Sequence, residues 1–135
     1  MTAVLDASVL VELLSMSPRG RRAAAAVGDD ADDLHVPHLA DVETLSVVRG
    51  LVDGGMLPGA RATQVLADLR DFPARRWPAR MLFERIWALR ENVTAYDATY
   101  VALAEALGAR LITADHRLAR GVQGVASCEV HVIEP

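Results

Sequence analysis

Short apolar segments that alternate with longer segments of helical periodicity constrain the fold most strongly. The short segments predict buried strands at residues 2–5, 34–37, 110–113 and 129–133. The clearest helical pattern between them predicts one long helix with its inward positions at Leu39, Val42, Leu45, Val48 and Leu51 or Val52. Strands that alternate with helices favour a parallel sheet covered on both faces, so we predict an α/β fold.

The composition narrows the class of protein. A chain of 135 residues, half of them apolar, predicts one globular domain over residues 1–135. No apolar run reaches the ~18 residues that a membrane span needs, and no secretory signal is apparent, so we expect a cytoplasmic protein with no membrane partner. Cys128 is the single cysteine and cannot form an internal disulfide. Lysine is absent, which excludes a Walker A loop and a Schiff base.

Acidic residues stand where the predicted strands and helices can bring them together. Asp6 directly follows the first strand, and Asp115 lies within two residues of the strand at 110–113. Glu43 lies in the first turns of the helix after the second strand, and Asp97 lies in the first turn of the helix before the strand at 110–113. Because sites in open parallel sheets form outside the carboxyl ends of the strands, the four carboxylates are expected to converge at one edge.

Each acid also has an ordinary structural explanation. Asp6 and Asp115 fit helix N-caps, Thr94 and Asp97 fit a capping box, and Glu43 could complement a helix N-terminus. Apolar flanks nevertheless predict that Asp6, Asp97 and Asp115 are partly buried, and buried acids need partners. No arginine adjoins Asp6 or Asp97, so a divalent cation is the natural counter-charge, and hard oxygen ligands suit Mg²⁺ or Mn²⁺.

Four motifs occur in the order and spacing of one known family. They are Val4-Leu5-Asp6-Ala7-Ser8, Val42-Glu43, Tyr96-Asp97-Ala98 and Thr113-Ala114-Asp115. With them the chain resembles the PIN domain, and most closely the ribonuclease toxins of VapC-type toxin–antitoxin pairs. The resemblance implies a three-layer α/β/α domain with a short central parallel sheet. It also implies that Asp6, Glu43, Asp97 and Asp115 bind the metal, while Ser8 and Thr113 contact those ligands or metal-bound water.

The function implied by the resemblance is Mg²⁺- or Mn²⁺-dependent cleavage of RNA by the toxin of a type II pair. Such toxins are usually homodimers and are held inactive by a cognate antitoxin. A net charge of −4 argues against broad affinity for nucleic acid, so RNA contacts would have to be local. Arg75, Arg76 and Arg80 cluster around Trp77 and form one candidate patch for RNA, and Arg19, Arg21 and Arg22 form a second. The alternatives are a catalytically silent PIN-fold binding module and a metal-dependent phosphatase.

A phosphatase of the haloacid dehalogenase kind would need a second aspartate where Ser8 stands, and it would need a lysine.

Three histidines and one tryptophan also have expected positions. His38 and His116 lie near the expected site and could be zinc ligands or proton carriers, although single histidines are more often polar surface residues. His35 is expected to face solvent, and Trp87 is expected in the core or in a dimer interface.

Overall fold

The computed structural model describes residues 2–134, apart from the side chain of Asp29. The strands of this part are β1 (Ala3–Leu5), β2 (Leu34–Pro37), β3 (Ala74–Trp77), β4 (Arg110–Thr113) and β5 (Val130–Val132). Its α-helices are α1 (Ala7–Ser15), α2 (Pro18–Val27), α3 (His38–Asp53), α4 (Gly59–Asp71), α5 (Phe83–Ala88), α6 (Ala95–Leu107) and α7 (His116–Gly121). Short 3-10 turns lie at Gly28–Asp30 and Arg80–Leu82.

All five strands pair in parallel, in the order β3-β2-β1-β4-β5. The central strand β1 is completely buried, as are the last three residues of β4, which explains why β1 is wholly apolar and why Leu111 and Ile112 form the middle of β4. Leu5 is in register with Ile112, so β1 and β4 end side by side. The residues that follow these strands, Asp6 and Ala114, therefore begin at the same edge of the sheet.

The helices form two groups that flank the sheet. Helix α1 packs against α2, α3 and α4, whereas α5 packs against α6, which lies on β1, β2 and β4. The close approach of α1 and α2 depends on Gly20, since a Cβ atom there would stand 2.3 Å from the Glu12 carbonyl oxygen. This arrangement confirms the predicted three-layer α/β/α fold. Over residues 2–134 no helix has both the length and the apolar character needed to cross a membrane.

The prediction for the inward face of α3 is wrong in part. Val48 is buried as expected, but Val42 is 65% exposed and Leu45 is 44% exposed. The helix buries Ala40 and Thr44 instead. Small side chains allow α3 to approach its neighbours closely, and the Thr44 hydroxyl can be buried because it donates a 2.7 Å hydrogen bond to the Ala40 carbonyl.

The prediction that His35 faces solvent is wrong, and of the two places expected for Trp87 only the core is excluded. His35 is buried because Trp77 Nε1 donates to its Nδ1 at 2.9 Å, while its Nε2 lies 2.7 Å from Asp33 Oδ1. These partners satisfy both ring nitrogens, which removes the need for solvent. Trp87 is 68% exposed and therefore lies outside the core of this chain.

Candidate active site

Asp6 is a buried carboxylate held by two hydroxyl groups. Thr113 Oγ1 donates to Asp6 Oδ2 at 2.7 Å, and Ser8 Oγ donates to the same oxygen at 2.8 Å. Only 6% of the Asp6 surface is exposed, and this burial raises the pKa of its carboxyl. The two hydroxyl bonds oppose that rise in pKa, and the negative charge of Asp115 adds to it. Asp6 occupies the N-cap position of α1, but its side chain makes no capping bond, so helix capping does not account for this carboxylate.

The same two hydroxyls connect Asp6 to the loop after β4. Ser8 Oγ accepts the Ala114 amide at 3.0 Å, and Thr113 Oγ1 accepts the Asp115 amide at 3.0 Å. Each hydroxyl has one proton, and both protons are used on Asp6. The acid after β1 and the acid after β4 are therefore linked through a defined hydrogen-bond network.

Glu43 reaches the site from α3 and is held by a tyrosine on α6. The hydroxyl of Tyr100 donates a 2.5 Å hydrogen bond to Glu43 Oε1. Partial burial raises the pKa of Glu43, the tyrosine bond lowers it, and the charge of Asp6 raises it again. Burial and the bond to Glu43 both raise the pKa of Tyr100, so its phenol keeps its proton. The local sequence pattern does not reveal this contact, although the position of Tyr100 one helical turn after Asp97 puts both residues on one face of α6.

The pKa of Asp97 is affected by all three of the other acids. Burial raises the pKa of its carboxyl to about 6, and repulsion from Asp6, Asp115 and Glu43 contributes in that order. Arg117 acts in the opposite direction as the smallest of these influences. The Asp97 amide donates to Thr94 Oγ1 at 3.2 Å, which is one half of the expected capping box. Within residues 2–134 no hydrogen bond or ion pair reaches the Asp97 carboxylate.

Asp115 is both a member of this cluster and a helix cap. Its Oδ1 accepts the amides of Arg117 at 2.9 Å and Leu118 at 3.3 Å, so it caps α7 as its ordinary explanation required. The two capping bonds also hold the Asp115 carboxylate near Asp6 and Asp97. Its negative charge raises the pKa of both of these acids. The structural and the functional explanation of Asp115 are thus compatible.

The four acids have the donor chemistry of a divalent-cation site. They provide only carboxylate oxygens, and none of them forms an ion pair with an arginine or histidine in the described part of the chain. Their mutual repulsion is the kind that a hard cation relieves. No three histidine, cysteine, aspartate or glutamate side chains between residues 2 and 134 stand close enough to hold an ion as placed. Binding would therefore require the carboxylates to draw together around the cation.

The three arginines predicted to contact RNA differ in their surroundings. Arg76 is committed within the protein, since its guanidinium donates to Asp41 at 3.1 and 3.2 Å and to three backbone carbonyls. Arg75 is exposed and lies 4.3 Å above the ring of Trp77, and Arg80 is exposed too. Of these three, Arg75 and Arg80 have guanidinium groups without a hydrogen bond or ion pair to the described residues, and RNA contact by any of the three stays a prediction.

Comparison with known proteins identifies the family to which a chain with this fold and this carboxylate cluster belongs. The family model of the PIN domain matches residues 3–122, so this chain belongs to the PIN domain family, and the resemblance seen in its motifs is confirmed. Among its relatives is VapC ribonuclease Mb0985 of Mycobacterium bovis, which is 42% identical over 96% of this chain and 97% of that protein.

Solved structures share the fold at lower sequence identity. PAE2754 from Pyrobaculum aerophilum superposes with a TM-score of 0.72, at 22% identity, over 98% of this chain and 84% of that one. VapBC2 from Rickettsia felis, bound to a DNA fragment from its promoter, gives a TM-score of 0.70 at 12% identity over 99% of this chain and 100% of that one.

Proposed function

We propose that this chain is a Mg²⁺- or Mn²⁺-dependent endoribonuclease that acts as the toxin of a type II toxin–antitoxin pair. The observation that carries the proposal is the Asp97 carboxylate, which faces three other acids yet has no counter-charge bonded to it within residues 2–134. A relative that is 42% identical over nearly the whole chain is named a VapC ribonuclease, which supports RNA as the substrate.

The roles of the acids follow from their surroundings. We assign Asp6 and Asp97 as direct ligands, with Asp115 and Glu43 completing the set directly or through water. A bound Mg²⁺ or Mn²⁺ supplies a Lewis acid for the phosphodiester and lowers the pKa of bound water. A carboxylate of the cluster accepts the proton of the attacking water as a P–O bond of the RNA breaks.

The surrounding hydroxyls position these acids. Ser8 and Thr113 fix the orientation of Asp6, and Tyr100 fixes Glu43. Residues that orient metal ligands in this way commonly change metal affinity or activity by about 10- to 100-fold when they are removed. We therefore assign Ser8, Thr113 and Tyr100 as positioning residues.

The partners proposed here are RNA, a cognate antitoxin and a second copy of this chain. Toxin–antitoxin complexes from other organisms share the fold, which supports the antitoxin. An arginine of the antitoxin could pair with the carboxylate cluster, and exposed Val42, Leu45 and Leu66 on α3 and α4 offer apolar surface for the rest of its segment. Exposed Phe83 and Trp87 on α5 offer apolar surface for a homodimer.

The two alternatives have less support. Membership of the PIN domain family does not favour a phosphatase, and Ser8 stands where that chemistry needs an aspartate. A silent binding module is the remaining alternative, and activity alone separates it from the proposal because all four acids are present.

Induced expression in a bacterial host tests the proposal. We expect wild-type protein to create new RNA 5′ ends at a restricted set of sites, and the Asp6→Asn variant, produced at the same level, to create none. Co-expression with the product of the neighbouring gene should give a stable complex and suppress the new ends. Identical 5′ ends for wild type and Asp6→Asn contradict the ribonuclease, and failure of the neighbouring product to bind contradicts the toxin assignment.

A further inference from the structure

An arginine-rich cleft opens beside the acid cluster. It encloses about 460 Å³, and two residues of the candidate active site, Ser8 and Asp115, form part of its wall. Three arginines and a histidine also line it: Arg19, Arg117, Arg120 and His116. The cleft thus places cationic side chains beside Asp115, one of the four acids of the cluster.

The cations of this cleft are largely free to act on a ligand. Arg117 and Arg120 form no ion pair with any residue between 2 and 134, and both are exposed. Glu12 is the acid of the lining besides Asp115, and its carboxylate already accepts the hydroxyl of Ser17. His116 has its own neighbour, since its Nε2 lies 3.8 Å from Glu134 Oε2.

Arg19 adds an unsatisfied donor to the same cleft. Its Nη2 is anchored by the carbonyl of Ala114 at 3.0 Å and that of Ile133 at 3.2 Å. Its Nε is buried and has no hydrogen-bond partner among the described residues. Buried donors without partners are rare in proteins, so this N–H indicates an acceptor, a water or a ligand, that the described residues do not supply.

Arg117 also lines a second cleft, which contains another acid of the cluster. This second cleft is lined by Asp97, Thr94, Arg90 and Arg117 among others, so Arg117 belongs to both clefts. Asp115 lies in the first cleft and Asp97 in the second. Each of the two acids therefore lines a cleft that Arg117 also lines.

We propose that the cleft of Arg19, Arg117 and Arg120 binds a backbone phosphate of the RNA next to the one that is cleaved. This inference rests on the proposed ribonuclease function and assigns the three arginines of this cleft to it. The carboxylates repel a polyanion, and the net charge of −4 gives no general attraction, so binding needs local cations. Guanidinium groups suit this task because their planar N–H donors match phosphate oxygens.

Binding of RNA in the absence of metal tests the site directly. The probe is a fluorescein-labelled single-stranded RNA, measured by fluorescence anisotropy in excess EDTA. We expect Arg120→Ala and Arg117→Ala each to raise the Kd about tenfold and to lower the salt dependence of binding by about 0.7 in log–log slope. The control is Arg49→Ala, which removes the same charge from a side chain that is 82% exposed and lies outside the cleft. Kd values of both variants within twofold of this control overturn the proposal.

A scan with neutral linkages separates phosphate binding from a structural role. RNA strands that each carry one methylphosphonate in place of a phosphate are tested with wild type and with Arg120→Ala. We expect one linkage beside the cleavage site to weaken wild-type binding, and the same linkage to cause no further loss in Arg120→Ala. Additive losses at that linkage overturn the site.

The same experiments distinguish failure of this inference from failure of the proposed function. Addition of Mg²⁺ after the binding measurement shows whether the bound RNA is cleaved. Arginine-dependent binding without cleavage supports the phosphate site and contradicts the ribonuclease. Cleavage by wild type together with unchanged binding by both variants contradicts the phosphate site alone.

Discussion

The Tyr100 hydroxyl donates a 2.5 Å hydrogen bond to Glu43 Oε1 and so joins α6 to α3 across the candidate active site. Tyr100 is completely buried, and its pKa is raised, so it acts as a donor and not as a second negative charge. The same helix carries Asp97 one turn earlier. One helix therefore supplies a carboxylate and also orients another.

Replacement of Tyr100 with phenylalanine should show this positioning role. We expect Tyr100→Phe to lower RNA cleavage about tenfold and the free energy of unfolding by about 1 kcal/mol, because Glu43 loses its donor. The pKa of Glu43 should rise, since the tyrosine bond lowers it. Tyr96→Phe on the same helix is the control, because Tyr96 is exposed. Equal cleavage by the two variants would refute the role of Tyr100.

Thr113 should matter through its hydroxyl and not through its methyl group. Thr113→Val removes the donor to Asp6 and the acceptor for the Asp115 amide, and we expect cleavage to fall about 10- to 100-fold. Thr113→Ser keeps the hydroxyl and should retain most of the activity. Cleavage rates measured side by side check this, and a Val variant as active as the Ser variant would show that the network is dispensable.

Arg76 should stabilise the fold, in contrast to its neighbour Arg75. Loss of its bonds to Asp41 and three carbonyls in Arg76→Ala should lower the free energy of unfolding by about 2 kcal/mol. Arg75→Ala removes an exposed side chain and should change stability by less than about 0.5 kcal/mol. Urea titration of both variants measures the difference, and equal midpoints would contradict it.

The metal-free protein should lose stability as the pH rises through about 6. A carboxyl whose pKa is raised from 3.8 to about 6 on folding contributes most at low pH, and this contribution fades as the pH passes the folded value. Asp6 and Glu43 act in the same direction, since their pKa values are raised too. We expect Asp97→Asn in EDTA to be about 1 kcal/mol more stable than wild type at pH 7, after allowance for solvent screening.

Thermal unfolding with and without Mg²⁺ completes that test. Mg²⁺ at a hundred times its dissociation constant should raise the free energy of unfolding of wild type by about 2.7 kcal/mol, and that of Asp97→Asn by much less. A wild-type protein that ignores the metal, together with a plainly destabilised Asp97→Asn, would mean that Asp97 serves only its helix.

The elements could be predicted from the sequence because local pattern determines them. Buried parallel strands are rich in apolar residues, so the apolar run of β1 and the pair Leu111 and Ile112 in β4 were recognisable, and with them the positions of Asp6 and Asp115. Contacts between residues far apart in the sequence were not recognisable. Tyr100 and Glu43 are 57 positions apart, and a buried tyrosine looks the same whether its hydroxyl holds a carboxylate or not.

Packing also overrode periodicity in α3. Its larger apolar residues, Val42 and Leu45, predicted the buried face, but close contact with the neighbouring elements selected Ala40 and Thr44. The surroundings of Arg76 depend in the same way on carbonyls that only the folded chain brings together. Local pattern reveals which residues are apolar, and tertiary contacts decide which of them are covered.

RNA cleavage by the purified chain tests the central claim most directly. Wild type and Asp97→Asn are each incubated with single-stranded RNA in Mg²⁺, and again after addition of EDTA. We predict cleavage by wild type in Mg²⁺, none in EDTA, and a loss of at least about a hundredfold in Asp97→Asn, which stays folded. Cleavage by Asp97→Asn at the wild-type rate, or wild-type cleavage that continues in EDTA, would contradict the metal-dependent carboxylate site.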